Sequence, residues 1–430
     1  MTAFPRRFFV AWCAVALAAT AHAQNPTAEA DPFTVDEAVR LASANNPSLA
    51  ASVRDVSAAA AGVRAARALA NPEAVFTPGF SAGGSDTEFL LQQPLEINGT
   101  RAARTAVASA RRRGVEATAV TTLREVVFAT KSAYYELARA RELLAVSEDL
   151  RKSAEEFDRI TRRQVEVGAR PGIDQIQTGI EVTRTRQQVA QAEGQVRIGV
   201  AALNTLLGRP PSEPIGALSP LSREAMSVNA EGALRSALDS RTEVAADEAE
   251  RAALLHEARL ARAEGRPDII PQLRAGSVIR GVKEAGFGVG ITLPFLDYGS
   301  RRERIRQSEQ AARAQGERVI ARRNQVRQEV EQALTHLQTA EEVVKEYSQG
   351  LLEQSKRLLD ASRTGFQSGQ TGILAVLEAQ RTYRAVQTEY TGALVDHALA
   401  LAELERATGG VPAERLPRLS EGAAGGNLSR

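Results

Sequence analysis

The chain has 430 residues, and 54 basic against 52 acidic side chains leave a net charge of +2, which gives neither a nucleic-acid footprint nor an acidic solvating chain. Aromatic residues make up only 4% and charged residues 25%, a composition of extended helices with Ala and Leu seams rather than of several aromatic-filled globules.

Residues 1–23 read as an export signal. Arg6 and Arg7 form its positive start, Phe8 to Thr20 its apolar run, and Ala21-His22-Ala23 a small-x-small cleavage site. Arg6-Arg7-Phe8-Phe9 also faintly resembles a twin-arginine signal. The one cysteine, Cys13, lies inside the signal, so the mature chain forms no disulfide and has no thiolate chemistry. No later run is long and apolar enough for a spanning helix, so any membrane entry must use strands.

A first helix is expected over 34–69, with Thr34 and Glu37 as a capping box and Asn71-Pro72 as its end. Two strands follow over 73–81 and 87–97, turning at Gly83-Gly84-Ser85-Asp86. A helix over 100–167 breaks at Gly168 to Gly172, and another covers 173–207. A linker, 209–228, leads into the same plan again. It has a helix over 230–264, strands over 269–280 and 286–296, a helix over 300–367 broken at Gly369 to Gly372, and a helix over 373–407. The tail, 411–430, is rich in Gly, Ser and Pro and is expected to be disordered. Ala38 corresponds to Ala233, Pro72 to Pro267, Pro94 to Pro294, Gly99 to Gly299 and Gly168 to Gly369, which makes 24–208 and 229–410 two structural repeats.

The fourth strand alternates. Phe287, Val289, Ile291, Leu293 and Phe295 point one way, and Gly288, Gly290, Thr292 and Pro294 the other. That pattern suits a wall with lipid outside and water inside. The long helices carry heptads. Val330, Leu337, Val344, Leu351 and Leu358 form one seam, and Val326, Ala333, Ala340 and Tyr347 the second. In the last helix Tyr383, Tyr390, His397 and Leu404 form one row, and Ala379, Val386, Ala393 and Ala400 the other. The fold class is therefore mainly α with a small membrane β-barrel, built on a duplicated helix–strand–strand–helix–helix unit.

At this point the chain resembles the TolC-type outer-membrane efflux proteins. The resemblance is carried by FTVDEAVRLASANNPSL at 33–49, LNTLLG at 203–208, VGARPGIDQIQ at 167–177 and SGQTGILAVLEAQ at 368–380, together with the paired strand–turn–helix units. LANPE and GRPDIIPQL look most like the heavy-metal branch. The resemblance implies a homotrimer in the outer membrane, with four strands per chain completing a twelve-stranded barrel. It implies helices that continue as an α-barrel across the periplasm. It also implies two partners, a periplasmic adaptor and an inner-membrane transporter, expected to be proton-driven.

The same resemblance assigns sites. The helix reversals Val167, Gly168, Ala169, Arg170, Gly172 and Ser368, Gly369, Gln370, Thr371, Gly372 are expected to dock the adaptor. The pore gate is expected at Asp174, Ile373, Leu374, Leu377 and Glu378. The family carries two aspartates and an arginine at the second tip, where this chain has Ala375, Glu378 and Thr371. Asp174 matches, but its arginine partner is missing from the matching position, and Arg170 or Arg381 are the candidates to replace it.

Enzyme chemistry finds no motif. His256, His336 and His397 are the histidines of the mature chain, far apart, without HExxH, phosphate loop or nucleophile elbow. Met226 is its one methionine, so no catalytic, cofactor or metal site is assigned. His397 is expected to pack within its heptad row. Three functions remain open on the residues: an efflux exit duct, a structural periplasmic coiled coil, and an adaptor.

Overall fold

The computed structural model describes residues 32–79, 87–221, 229–276, 284–294 and 297–410. The export signal, the turn at Gly83 to Asp86 and the tail lie outside these residues.

The first helix of each repeat is broken, where one continuous helix was expected. Helix α1 spans Val35–Asn45 and α2 Pro47–Arg67. Thr34 caps α1 by accepting from the Glu37 amide at 3.2 Å. The break falls at Asn46-Pro47, because proline cannot donate to the turn before it. The Asn46 carboxamide oxygen accepts from Ser48 N at 2.9 Å, and its nitrogen donates to Leu206 O at 3.0 Å. In the second repeat α5, Ala230–Ser240, and α6, Thr242–Ala263, meet at Arg241. No proline marks that break. Instead the Arg241 guanidinium donates to Ala407 O at 3.2 Å, at the end of the last helix, as Asn46 does to Leu206.

Four strands form one antiparallel sheet in chain order. They are β1 (Glu73–Pro78), β2 (Thr87–Gln92), β3 (Ile269–Gly276) and β4 (Glu284–Ile291). The two hairpins fuse through β2 and β3, from Glu88 opposite Gly276 to Gln92 opposite Gln272. Strand β2 ends before the expected Ile97. Pro94 interrupts the ladder and only Leu95 bridges back to Ile269. Helix α3, Thr100–Glu166, has 67 residues. At 1.5 Å per residue it is about 100 Å long. Helix α4 spans Gly172–Leu206 and α7 Ser300–Glu346. Helix α8 covers Leu352–Gln367 and α9 Ile373–Thr408. Under the sheet α2 packs on α3, α3 on α6 and α6 on α7, which repeats the strand order. At the far end α4 packs on α3, α3 on α9 and α9 on α8.

The heptad seam holds through Val326, Val330, Ala333, Leu337 and Val344, all buried. It then shifts. A π turn at Tyr347–Leu351 inserts one residue into the helical count. Beyond it Leu359 and Phe366 are buried, while the expected seam residues Leu351 and Leu358 are exposed. In α9 Ala379, Val386, Ala393 and Ala400 are buried as the heptads require, and His397 is fully enclosed.

A charged node sits where α5 meets α6. Arg241 pairs with Glu243 at 3.0 Å and with Glu329 of α7 at 2.8 Å. Arg124 of α3 donates to Ser240 O at 2.8 Å and to Thr242 Oγ1 at 3.2 Å. Burial pushes the Glu243 carboxyl up, but the hydrogen bond and charge of Arg241, with Arg124 beside it, outweigh this and hold it below the usual carboxylate range.

Candidate functional site: a strand wall and two helix tips

Strand pairing decides which side chains share a face. Ala74 lies opposite Leu91, Leu91 opposite Leu273, and Leu273 opposite Phe287. The neighbouring row runs Phe76, Phe89, Ala275, Ala285. Pro271 faces Val289 and Ile269 faces Ile291. These rows are apolar across the sheet. Phe287 is 94% exposed and Val289, Ile291 and Leu293 more than half exposed, so no described residue covers them. Phe295 lies outside the described residues.

The reverse face is mixed: Val75, Leu90 and Ile270 lie on it beside charged and amide side chains and the glycines of β4. Glu73, Gln92, Gln272 and Gly288 form one row. Gln92 donates to Glu73 at 2.7 Å, and Gln272 to Gln92 at 3.2 Å. A Cβ at Gly290 would come within 3.0 Å of Gln272 Nε2, so the glycines of β4 make room for this ladder. Arg274 pairs with Glu88 at 2.7 Å on the same face. The outer edges of β1 and β4 have no partner strand among the described residues.

The two tips are built alike. Gly168 has φ 74° and Gly369 φ 77°. A Cβ at either would meet no atom within 4 Å, so the left-handed backbone, not space, selects glycine. Each closes its helix with paired bonds: Ala169 N to Gln164 O with Gly168 N to Val165 O, and Gln370 N to Gly365 O with Gly369 N to Phe366 O. Val167, Gly168, Ala169 and Gly172 are exposed, as are Ser368, Gly369, Gln370 and Gly372. Thr371 is half-buried and donates to Ser362 O at 3.3 Å.

Arg170 joins the tips. It pairs with Asp174 at 3.4 Å, donates to Phe366 O at 3.3 Å, and lies 4.0 Å from the centre of the Phe366 ring. Phe366 stands edge-on to Phe157, with ring centres 5.9 Å apart. Ile373, Val376 and Leu377 complete this cluster.

The sequence profile of outer membrane efflux proteins matches residues 38–209 and 233–410. The chain belongs to the outer membrane efflux protein family. It is 25% identical over 395 residues to the cobalt-zinc-cadmium resistance protein CzcC of Cupriavidus metallidurans, covering 89% of this chain and 92% of that protein. In fold it matches the CmeC outer membrane channel of Campylobacter jejuni with a TM-score of 0.77 at 15% identity, over 87% of this chain and 85% of that one. The open state of the MtrE channel of Neisseria gonorrhoeae matches with a TM-score of 0.74 at 20% identity, over 87% and 88%.

An outer membrane efflux protein is a passive channel of a tripartite pump, not an enzyme, which removes the adaptor and structural coiled-coil readings. It sits in the outer membrane and extends into the periplasm. No described helix is long and apolar enough to cross a membrane. Among the expected gate residues of this efflux channel, Ile373 and Leu377 are buried inside one chain, whereas Leu374 and Glu378 face solvent. Glu378 lies 3.7 Å from Arg381. Both candidate arginines thus have carboxylate partners, Arg170 a half-buried one and Arg381 an exposed one. The aromatic clasp of Phe157 and Phe366 was missed, since nothing in the helical period links residues on different hairpins.

Proposed function

We propose that three copies of this chain close head to tail into one exit duct for metal cations. The observation that carries this is a sheet with one apolar face, a reverse face that bears a glutamine ladder and an ion pair, and two edges without a partner strand among the described residues. Lipid tolerates no open edge, so β4 of one copy pairs with β1 of the next, and α7 stands beside the neighbour's α2. The apolar rows face outer-membrane lipid and the glutamine ladder faces the lumen. The count of three comes from the resemblance to TolC-type channels. The periplasmic adaptor docks on the two glycine tips, and a proton-driven inner-membrane transporter supplies the energy. Leu374 and Glu378 reach the axis at the gate, while Asp174, Ile373 and Leu377 hold the tip behind them. The cargo class follows the similarity to CzcC.

Engineered cysteines test the closure, because Cys13 in the export signal is the one natural cysteine. A single chain carrying one cysteine on β1 and one on β4, treated with a short bis-maleimide, should give rungs up to the trimer and none beyond. A ladder that continues, or no rungs, rejects the ring. Loss of cobalt, zinc and cadmium tolerance on deletion of the gene, with drug tolerance unchanged, supports the cargo. The reverse pattern rejects it.

A further inference from the structure

Below the apolar wall, one residue breaks a backbone rule. Tyr298 has φ 52°, and among the described residues it is the one non-glycine side chain in the left-handed region. Bulky residues avoid that region, and glycine would adopt it without strain. The matching position in the first repeat is Asn98, where the backbone is not left-handed. Fold alone therefore gives no reason for a tyrosine here.

The surroundings hold it rigidly and leave it bare. Asp297 accepts from Gly299 N at 3.2 Å and from Arg301 N at 3.1 Å, and Arg301 donates back to Pro294 O. The loop is clamped on both sides of Tyr298, yet its side chain is fully exposed. The outward apolar rows end just above it, at Ile97 and Leu293, both more than half exposed. Just beyond it begin the helices, where Arg101 and Arg302 are exposed and make no ion pair among the described residues. A ring that is apolar in its body and polar at its tip, set between hydrocarbon-facing and cationic residues, matches the headgroup layer of a bilayer.

We propose that Tyr298 is an interfacial anchor. It seats the lower rim of the wall at the phospholipid headgroups of the periplasmic leaflet, with Arg302 close enough to meet lipid phosphate. This rests on the reading that the apolar face of β4 lies in lipid. One residue from each copy would then fix the depth at which sheet gives way to helix.

The chain has a single tryptophan, Trp12, inside the expected export signal. In a Trp12→Phe background, Tyr298→Trp therefore becomes the sole tryptophan. It is placed in vesicles of phosphatidylcholine brominated either near the headgroup or near the chain end. Ile291→Trp in the same background is the depth control. The proposal expects Trp at 298 to be quenched about twofold more by the shallow bromines than by the deep ones, and Trp at 291 the reverse. Quenching at 298 by aqueous acrylamide alone, with position 291 still quenched by lipid, overturns the anchor and leaves the wall intact. Protection of 298 from both agents means that a neighbouring copy buries it, which also overturns the anchor. If lipid quenches neither position, the wall reading fails and the anchor fails with it.

Discussion

Arg170 touches both hairpins at once. Its charge meets Asp174 four residues on, and its face meets a phenyl ring from the other repeat. Cation–π and charge-assisted contacts of this partly buried kind are worth roughly 1–2 kcal/mol together. Arg170→Met keeps the length and loses both contacts, so the tips should part more readily. Planar-bilayer recording should show a higher resting conductance than the parent, and an unchanged trace would remove Arg170 from the closed state. Glu378 makes a separate prediction. Its pairing with Arg381 is long and solvated, so the carboxylate remains free to attract cations. Glu378→Gln should lower cation preference and divalent-ion block, and equal reversal potentials would show that no carboxylate ring exists. The Arg170–Asp174 pair was within reach of the sequence, because Arg170 stands just before α4 and Asp174 lies in its first turn. Phe366 was not, since it reaches Arg170 only through the three-dimensional meeting of two hairpins.

At the level of elements, the seam and the node behave differently. The heptad was legible up to Val344 and misleading afterwards, because periodicity cannot announce one added residue. Deleting Gly350 should remove the π turn while keeping Leu359 and Phe366 in phase with Val344. The expected result is an assembly with an undiminished melting temperature. A large fall would mean that the wide turn is itself required. The α5–α6 node should make stability depend on acid. Glu243 binds its proton less readily when folded than when unfolded. Its contribution is therefore present above the ordinary carboxylate range and lost as pH falls through and below that range. Denaturant midpoints measured across that window should drop, and Glu243→Gln should flatten the drop. Arg241→Met, which leaves Glu243 with Arg124 and Glu329 with Gln325, should cost about 1–3 kcal/mol. The node itself was invisible beforehand, because its charges come from α3, the α5–α6 junction and α7 and carry no local pattern.

For the whole molecule, duplication was the most readable property. The paired glycines Gly99 and Gly299, Gly168 and Gly369 all adopt left-handed angles at equivalent helix ends. The union of the two hairpins into one sheet was not readable, because nothing local distinguishes one sheet from two. If the wall lies in lipid, Ile291→Arg should cost about 2–4 kcal/mol near mid-bilayer and reduce heat-resistant oligomer on gels. Gly168→Trp with Gly369→Trp should abolish export while oligomers persist in the membrane, and normal metal tolerance would separate the tips from docking.

The two free sheet edges also have a genetic consequence. In the proposed ring of three, a copy that cannot offer a good β4 edge would not simply fail alone; it would occupy a place in a ring that then cannot seal. With random mixing of equal amounts of normal and edge-defective chains, only about one assembly in eight would be made wholly of normal copies. Such an allele should therefore be dominant over the wild type, whereas a deletion of the same gene should be recessive.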